Sequence, residues 1–359
     1  MYLDAESTQA VAGMGPDSLL GVFLGLFAAN LGLELVLNLL NRREVLRHRE
    51  PPSAFADHFD ASTYARCRAY TLDRLAFARV STFWSAAILL VLLLSGVLPR
   101  LDAFLARLLG DGPARGAAFL AAIFLVQSLF DIPLSAWATF RLEGAHGFNR
   151  MTWGLYWKDL ARGALLSAAL GLPLLYALLW ILERAGAGWW LWAFLLVLAV
   201  QVAILVLYPV LIAPLFNRFK PLEEGPLKAS LLELAATSRF PARDIHVMDG
   251  SRRSLHSNAY FTGFGRFRRI VLFDTLVAQM DPRELRCVLA HEIGHYKLGH
   301  IVRALVLQSI LLLALFWAAS LALAWPSLYQ AFGFTPPSFV ISDTASEAIA
   351  AGPVAPGPA

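Results

Sequence analysis

His291-Glu292-Ile293-Gly294-His295 reads H-E-x-x-H. Two imidazoles four residues apart share one face if the segment is helical. That spacing lets both rings reach one zinc ion, and the glutamate between them can serve as general base toward an attacking water. The residues just upstream are a helix-start signal: Asp281 as N-cap, Pro282 at the first position and Glu284 closing a capping-box arrangement. The motif is therefore expected on a helix, as its chemistry requires. Cys287 falls four residues before His291 and shares that face, where a buried, inert cysteine is the reading preferred over a further ligand.

Working outward, residues 215–303 form the one segment polar enough for a compact water-facing unit. Pro226 to Ser238 reads as an amphipathic helix with Leu227, Leu231 and Leu234 on one side. Strands are expected over Ile245–Met248, Asn258–Thr262 and Arg269–Phe273, with Gly263 and Gly265 marking the turn between the last two.

The rest of the chain is of another kind. Hydrophobic residues make up 58% of the 359 and charged residues 16%, and the mean hydropathy is +0.58. A water-soluble core cannot use that much apolar side chain, but a lipid-facing surface can. Stretches at 18–40, 78–98, 116–139, 163–182, 188–212 and 304–325 are long enough to cross a bilayer. The fold class expected is mainly α, a polytopic helical membrane bundle with a small α+β zinc-peptidase domain inserted between the fifth and sixth spans. The boundaries expected are 1–214 for five spans, 215–303 for the peptidase domain, 304–325 for the sixth span and 326–359 for a disordered or truncated tail.

The formal charge of +4 does not indicate nucleic acid, because the cations sit in alternate loops, 41–77, 140–162 and 215–303. Residues 1–41 and 326–359 carry no Lys or Arg. The positive-inside rule puts the three basic loops, and with them the H-E-x-x-H motif, in the cytoplasm. Loop 99–115, with Arg100, Arg107 and Arg115, is the discordant one. Two cysteines, Cys67 and Cys287, indicate no disulfide framework. The acidic N-terminus lacks a basic leader, so the first span is expected to direct insertion. The bilayer is a partner, and the bacterial inner membrane is the expected compartment.

Polar residues stripe two spans at helical spacing: Asn30, Glu34 and Asn38 in the first, Gln127 and Asp131 in the third. Such groups face a water-filled cavity or hydrogen-bond between helices, and the sequence leaves both readings open.

A catalytic zinc site usually takes three protein ligands. Counted along a continuous helix, His300 lies about 140° round from His295 and points away from it. His256 precedes the central strand and reads as a solvated loop histidine. Downstream, Asp343 and Glu347 fall in an Ala/Pro/Gly-rich tail, beyond the sixth span.

Several segments together resemble the integral-membrane zinc endopeptidases of the CAAX prenyl protease 1 type. They are HEIGHYKLGH (291–300), SLHSNAYFTGFGRFRRIVLFDTLV (254–277), APLFNRFKPLEEGPL (213–227), VMDGSRRS (247–254) and EGAHGFNRMT (143–152). The resemblance implies a helical membrane barrel around a hydrated chamber, with Zn2+ held by His291 and His295 and Glu292 as catalytic base. It implies that Asn258, Ala259 and Tyr260 lie on an edge strand that pairs with an extended peptide or membrane-protein substrate, and that His146 and Asn149 line the chamber floor. The likeness ends near Val340, before a further span and a motif S-R-x-x-E-x-x-A-D whose Glu is the third ligand. Glu347 only faintly echoes that motif, and a C-terminally truncated chain is expected. A catalytically inactive truncated remnant, and a membrane transporter or channel whose polar stripes form its path, are the alternatives.

Overall fold

The computed structural model describes residues 14–55, 60–240, 244–262 and 269–336. The expected turn at Gly263 and Gly265, the tail 341–359, Asp343 and Glu347 lie outside the described residues.

Six helices are long and apolar enough to cross a membrane: Pro16–Arg47, Ala61–Leu94, Pro113–Ala145, Trp153–Arg184, Gly186–Phe216 and His300–Ala322. Each contains or overlaps an expected span and most run past it. The first, at 32 residues, is about 48 Å long against a hydrocarbon core of about 30 Å. The helix is therefore longer than the hydrocarbon core is thick, and Asn41, Arg42 and Arg43 make its last turns polar.

The chain divides into two compact units, residues 1–129 with 315–359, and residues 130–314. In the first unit α1 (Pro16–Arg47) packs along α2 (Ala61–Leu94). Asn38 joins them, donating to the Leu75 carbonyl at 3.1 Å and accepting from Arg79 Nη1 at 2.8 Å. At this end of the first polar stripe the hydrogen-bonding reading holds. Asn30, by contrast, donates to Glu34 within α1 at 3.2 Å.

Gly96, at φ +72°, then turns the chain into α3 (Val97–Leu109), which buries Leu98 and Leu105 where a plain loop is expected. Arg115 of that stretch is ion-paired with Asp102 and Asp111, so the loop that is discordant in charge offsets part of it. Past Trp325-Pro326 the chain is not a tail throughout. Pro326 opens α11 (Pro326–Ala331), which packs on α1. Phe332 meets Phe23 edge-on at 5.3 Å, and Phe334 meets Phe119 edge-on at 5.9 Å. A proline at the first helical position and two aromatic contacts outweigh the loss of periodicity there.

Helix α4 (Pro113–Trp137), whose residues divide between the two units after Leu129, continues through a π-turn, Ala138–Leu142, to Ala145. Helices α5 (Trp153–Arg184) and α6 (Trp189–Leu207) are joined by one 3-10 turn, Gly186–Gly188. Helix α6 runs on through a second π-turn, Tyr208–Ile212, around Pro209, whose ring removes a ladder donor. Gln201 of α6 donates to Gln308 of α10 (His300–Ala322) at 2.9 Å. This amide pair within apolar helices is a tie that the sequence reading does not single out.

Between α6 and α10 lies the sheet, β1 (Phe219–Pro221), β2 (Asp244–Met248), β3 (Ala259–Thr262) and β4 (Arg269–Phe273), in the order β1-β2-β4-β3. The central pair β2–β4 is parallel and both outer pairings are antiparallel. Three of these strands match the expected ones; β1, three residues ending in proline, carries no alternation to read. Helices α7 (Pro226–Thr237), α8 (Asp274–Gln279) and α9 (Pro282–Lys297) complete the segment. Leu231, Ile245, Ile270, Leu272, Leu285 and Leu289 are its fully buried centre. Gly250 lies so close to the Phe273 ring that a Cβ there would meet it at 2.6 Å, a backbone approach only glycine allows.

Arg253 ties this segment to the membrane helix α5. Its guanidinium donates to Asp159 Oδ2 at 2.8 Å, Asn217 Oδ1 at 2.9 Å and the Phe216 carbonyl at 2.6 Å. Both charged side chains are largely buried, at 19% and 15% exposure. Replacing Arg253 by Leu strands the Asp159 carboxylate and should cost about 3–5 kcal/mol of stability. The double variant Arg253→Leu/Asp159→Leu should recover most of that. Thermal unfolding of the detergent-solubilised variants, followed by tryptophan fluorescence, measures both.

Candidate metal centre

Helix α9 begins as its sequence dictates. Asp281 Oδ1 accepts from the Arg283 and Glu284 amides at 2.7 and 2.9 Å, and Glu284 Oε2 accepts from the Asp281 amide at 2.8 Å. The Glu284 and Arg283 amide donors hold the Asp281 carboxyl below the usual carboxylate range. Leu285, Leu289 and Ile293 follow at four-residue spacing and are buried against the sheet. Tyr296 continues the line, edge-on to Phe240 and Phe261 at 5.0 and 6.0 Å. With that face committed, Cys287, His291 and His295 are left on the other side.

The two imidazoles converge. His291 Nε2 and His295 Nε2 are 3.1 Å apart, and the rings cross at 86°. His291 is exposed, while Glu292 and His295 are half-buried. Two nitrogens on a tetrahedral zinc, each bonded at about 2.0–2.1 Å, stand about 3.3 Å apart. The donor pair therefore fits such an ion almost without adjustment. It would supply two ligands, and among the described residues no group of three His, Cys, Asp or Glu side chains comes together to hold a metal.

Two expectations are corrected here. His300 does not point away: its Nδ1 is 2.7 Å from His295 Nδ1. The 140° count assumes one continuous helix, but α9 ends at Lys297. The Leu298 amide caps back to Gly294 at 3.0 Å, and Gly299 at φ +66° turns the chain before α10 begins at His300. Cys287 is exposed rather than buried; the core-facing stripe of α9 is 285, 289, 293, and residue 287 falls opposite it.

Of the remaining residues named from the sequence, Ala259 and Tyr260 lie on β3 and Asn258 directly precedes it. Strand β3 is the edge strand, paired with β4 on one side, and α9 packs against it. Asn258 precedes the strand: its carbonyl accepts from the Phe273 amide at 3.0 Å and its Oδ1 from the Ala259 amide at 2.8 Å. Ala259 is buried. The Tyr260 hydroxyl faces Met248 Sδ at 3.8 Å, and burial pushes its pKa up to about 12, keeping it a neutral hydroxyl.

The 143–152 loop joins the stretch leading to β3 by backbone pairing. Arg150 N donates to the Arg253 carbonyl at 3.0 Å and Leu255 N to the Phe148 carbonyl at 2.9 Å, with Asn149 opposite Ser254. Asn149 Oδ1 accepts from the Met151 amide at 2.8 Å, an Asx-type turn that occupies that oxygen. His146 is half-buried where the short helix ending at Ala145 stops. His256 is not simply solvated. Its Nε2 is 3.0 Å from Glu143 Oε2 and its ring stacks on Phe148 at 4.3 Å. No local pattern announces this pairing, since the partners are 113 residues apart.

The chain resembles known proteins along most of its length. Residues 41–218 match the family model described as "CAAX prenyl protease N-terminal, five membrane helices", and residues 221–354 match "Peptidase family M48". An Arabidopsis thaliana CAAX prenyl protease 1 homolog is 35% identical over 293 residues, covering 79% of this chain and 69% of the relative. The chain belongs to the CAAX prenyl protease 1 family. A Homo sapiens homolog is 32% identical over 327 residues, again covering 79% of this chain and 69% of the relative. The crystal structure of S. mikatae Ste24p superposes with a TM-score of 0.82 at 30% identity, over 94% of this chain and 84% of that one.

Membership makes the protein an integral-membrane metallopeptidase with a helical bundle and a small peptidase sheet. The peptidase match runs to residue 354, past Val340 where the motif-by-motif likeness ends, and takes in Glu347. The exposed position of Cys287 has a direct consequence. In a Cys67→Ser background the folded protein should react with one equivalent of maleimide, at Cys287, whereas a buried thiol would react only after unfolding. Mass spectrometry of the labelled peptide distinguishes the two.

Proposed function

We propose that the chain is a zinc endopeptidase in which His291 and His295 bind Zn2+ through their Nε2 atoms and Glu292 is the catalytic base. The observation that carries the reading is the 3.1 Å approach of the two Nε2 atoms, with Glu292 between them in the chain on the same capped helix. When bound, the ion polarises the scissile carbonyl and acidifies the attacking water. Glu292 accepts the proton from that water as its oxygen adds to the carbonyl carbon, then delivers it to the leaving amine as the C–N bond breaks.

Residues 215–303 are the proposed peptidase domain. Asn258, Ala259 and Tyr260 would present the outer edge of β3 to an extended substrate, whose backbone would add a strand to the sheet. Such pairing selects chain shape more than side chains. The relatives' names point to prenylated C-terminal peptides, and segments of membrane proteins able to reach the site in extended form are the wider class. His146 and Asn149 would line the floor beside this strand through the backbone pairing of their loop with 253–255.

The distribution of basic loops supports a cytoplasmic catalytic face. The bacterial inner membrane is the compartment proposed, although the plant and human relatives are eukaryotic.

Purified wild-type protein should bind zinc and cleave a prenylated reporter peptide. Glu292→Gln should keep the metal and lose about 10²–10⁴ in kcat, whereas His291→Ala should lose both metal and activity. Undiminished turnover by Glu292→Gln would remove the glutamate from the mechanism.

A further inference from the structure

We propose that His300 is a positioning residue. It accepts a hydrogen bond from Nδ1–H of His295 and so holds that ring in the tautomer whose Nε2 lone pair faces His291. The inference rests on the zinc reading of His291 and His295 and names the group that makes the second of them a ligand.

The argument starts from the Nδ1–Nδ1 separation of 2.7 Å. Two imidazole nitrogens come that close only when one carries a proton and the other does not. If His300 were the donor, neutral His295 would carry its proton on Nε2, which would then aim a hydrogen at His291 Nε2 across 3.1 Å. That arrangement is a closed hydrogen-bonded chain with no lone pair for a cation. If His295 is the donor, its Nε2 is bare. Metal-free, His291 can fill the gap by donating from its own Nε2; once His291 is protonated on Nδ1 instead, both inner nitrogens present lone pairs to the same point, an arrangement that is repulsive without a cation and strongly favourable with one. Metal binding therefore selects the second arrangement, and His300 is the acceptor that makes it available.

The local backbone shows how His300 reaches this place. Helix α9 stops shortly after His295, and the Gly299 amide bonds back to the Tyr296 carbonyl at 2.9 Å. The φ of +66° at Gly299 then sends the chain into α10 with His300 as its first residue. The rings of His295 and His300 sit 4.9 Å apart at 62°, an edge approach that suits an in-plane N–H bond to a ring lone pair. Any other residue at 299 would have to adopt a left-handed backbone to keep this turn. Among the described residues His300 is the partner that the structure gives to His295 Nδ1.

The test compares zinc affinity rather than turnover. Full-length protein is stripped of metal in detergent and titrated with zinc against a chromophoric chelator. Wild type, His291→Ala, His300→Leu, His300→Phe and His300→Asn are compared, with apo-protein thermal unfolding recorded for each. Leu and Phe remove the acceptor, and Phe preserves ring volume should Leu fail to fold. Asn keeps an acceptor oxygen. Loss of an outer partner of a metal-bound histidine typically weakens binding by about 10–100-fold. That weakening is expected for the Leu and Phe variants, with a displaced ligand-field spectrum when cobalt replaces zinc. His300→Asn should stay within about threefold of wild type. Wild-type affinity in both the Leu and Phe variants overturns the inference, as does an equal loss in His300→Asn. Absence of zinc binding by wild type, or its persistence in His291→Ala, overturns the metal reading itself, independently of the His300 variants.

Discussion

Everything at the candidate metal centre depends on which way one helix faces. Helix α9 buries Leu285, Leu289 and Ile293 against the sheet, and Tyr296 packs edge-on to Phe240 and Phe261. Each fully buried leucine is worth about 1.5–3 kcal/mol of transfer free energy. Rotating α9 to turn the histidines inward would forfeit several such terms and bury polar rings. The apolar stripe thus fixes the azimuth of the helix, and the four-residue spacing does the rest, bringing two Nε2 atoms within 3.1 Å.

The ties of the surrounding segment come from distant parts of the chain. Arg253 joins α5 to the start of the peptidase segment through Asp159, Asn217 and the Phe216 carbonyl. The 143–152 loop adds a short backbone ladder to residues 253–255, and Glu143 holds His256 over it. Within the membrane helices the same principle operates with neutral partners, Gln201 with Gln308 and Asn38 with the Leu75 carbonyl. Polar groups in apolar surroundings are costly unless paired, so each pairing selects one arrangement of its helices over its alternatives.

A good deal of this architecture is legible in short stretches of the chain. The six spans follow from runs of apolar residues too long for a soluble core, and the start of α9 follows from Asp281, Pro282 and Glu284, whose roles are local. The strands with branched and aromatic residues are legible too, because periodicity and propensity act within a few residues. The features that escape such reading share one physical character. Strand β1 has three residues and exists because β2 pairs with it. Helix α11 hides behind a fall in hydropathy and is held by Phe23 and its neighbours. His300 defeats a helix count because the count runs through Gly299, where the chain turns left-handed.

Composition and short spacings were enough to define the class of molecule and the outline of its chemistry: a membrane bundle, and two histidines at metal-ligand spacing with a carboxylate between them. Hydrophobic burial and helix geometry translate those patterns directly. The partners standing behind these residues emerge only from the folded chain: His300 at the back of His295, Glu143 beside His256, Arg253 across from Asp159. Such pairings cross helix ends or span many residues. They arise from packing, which no local rule encodes.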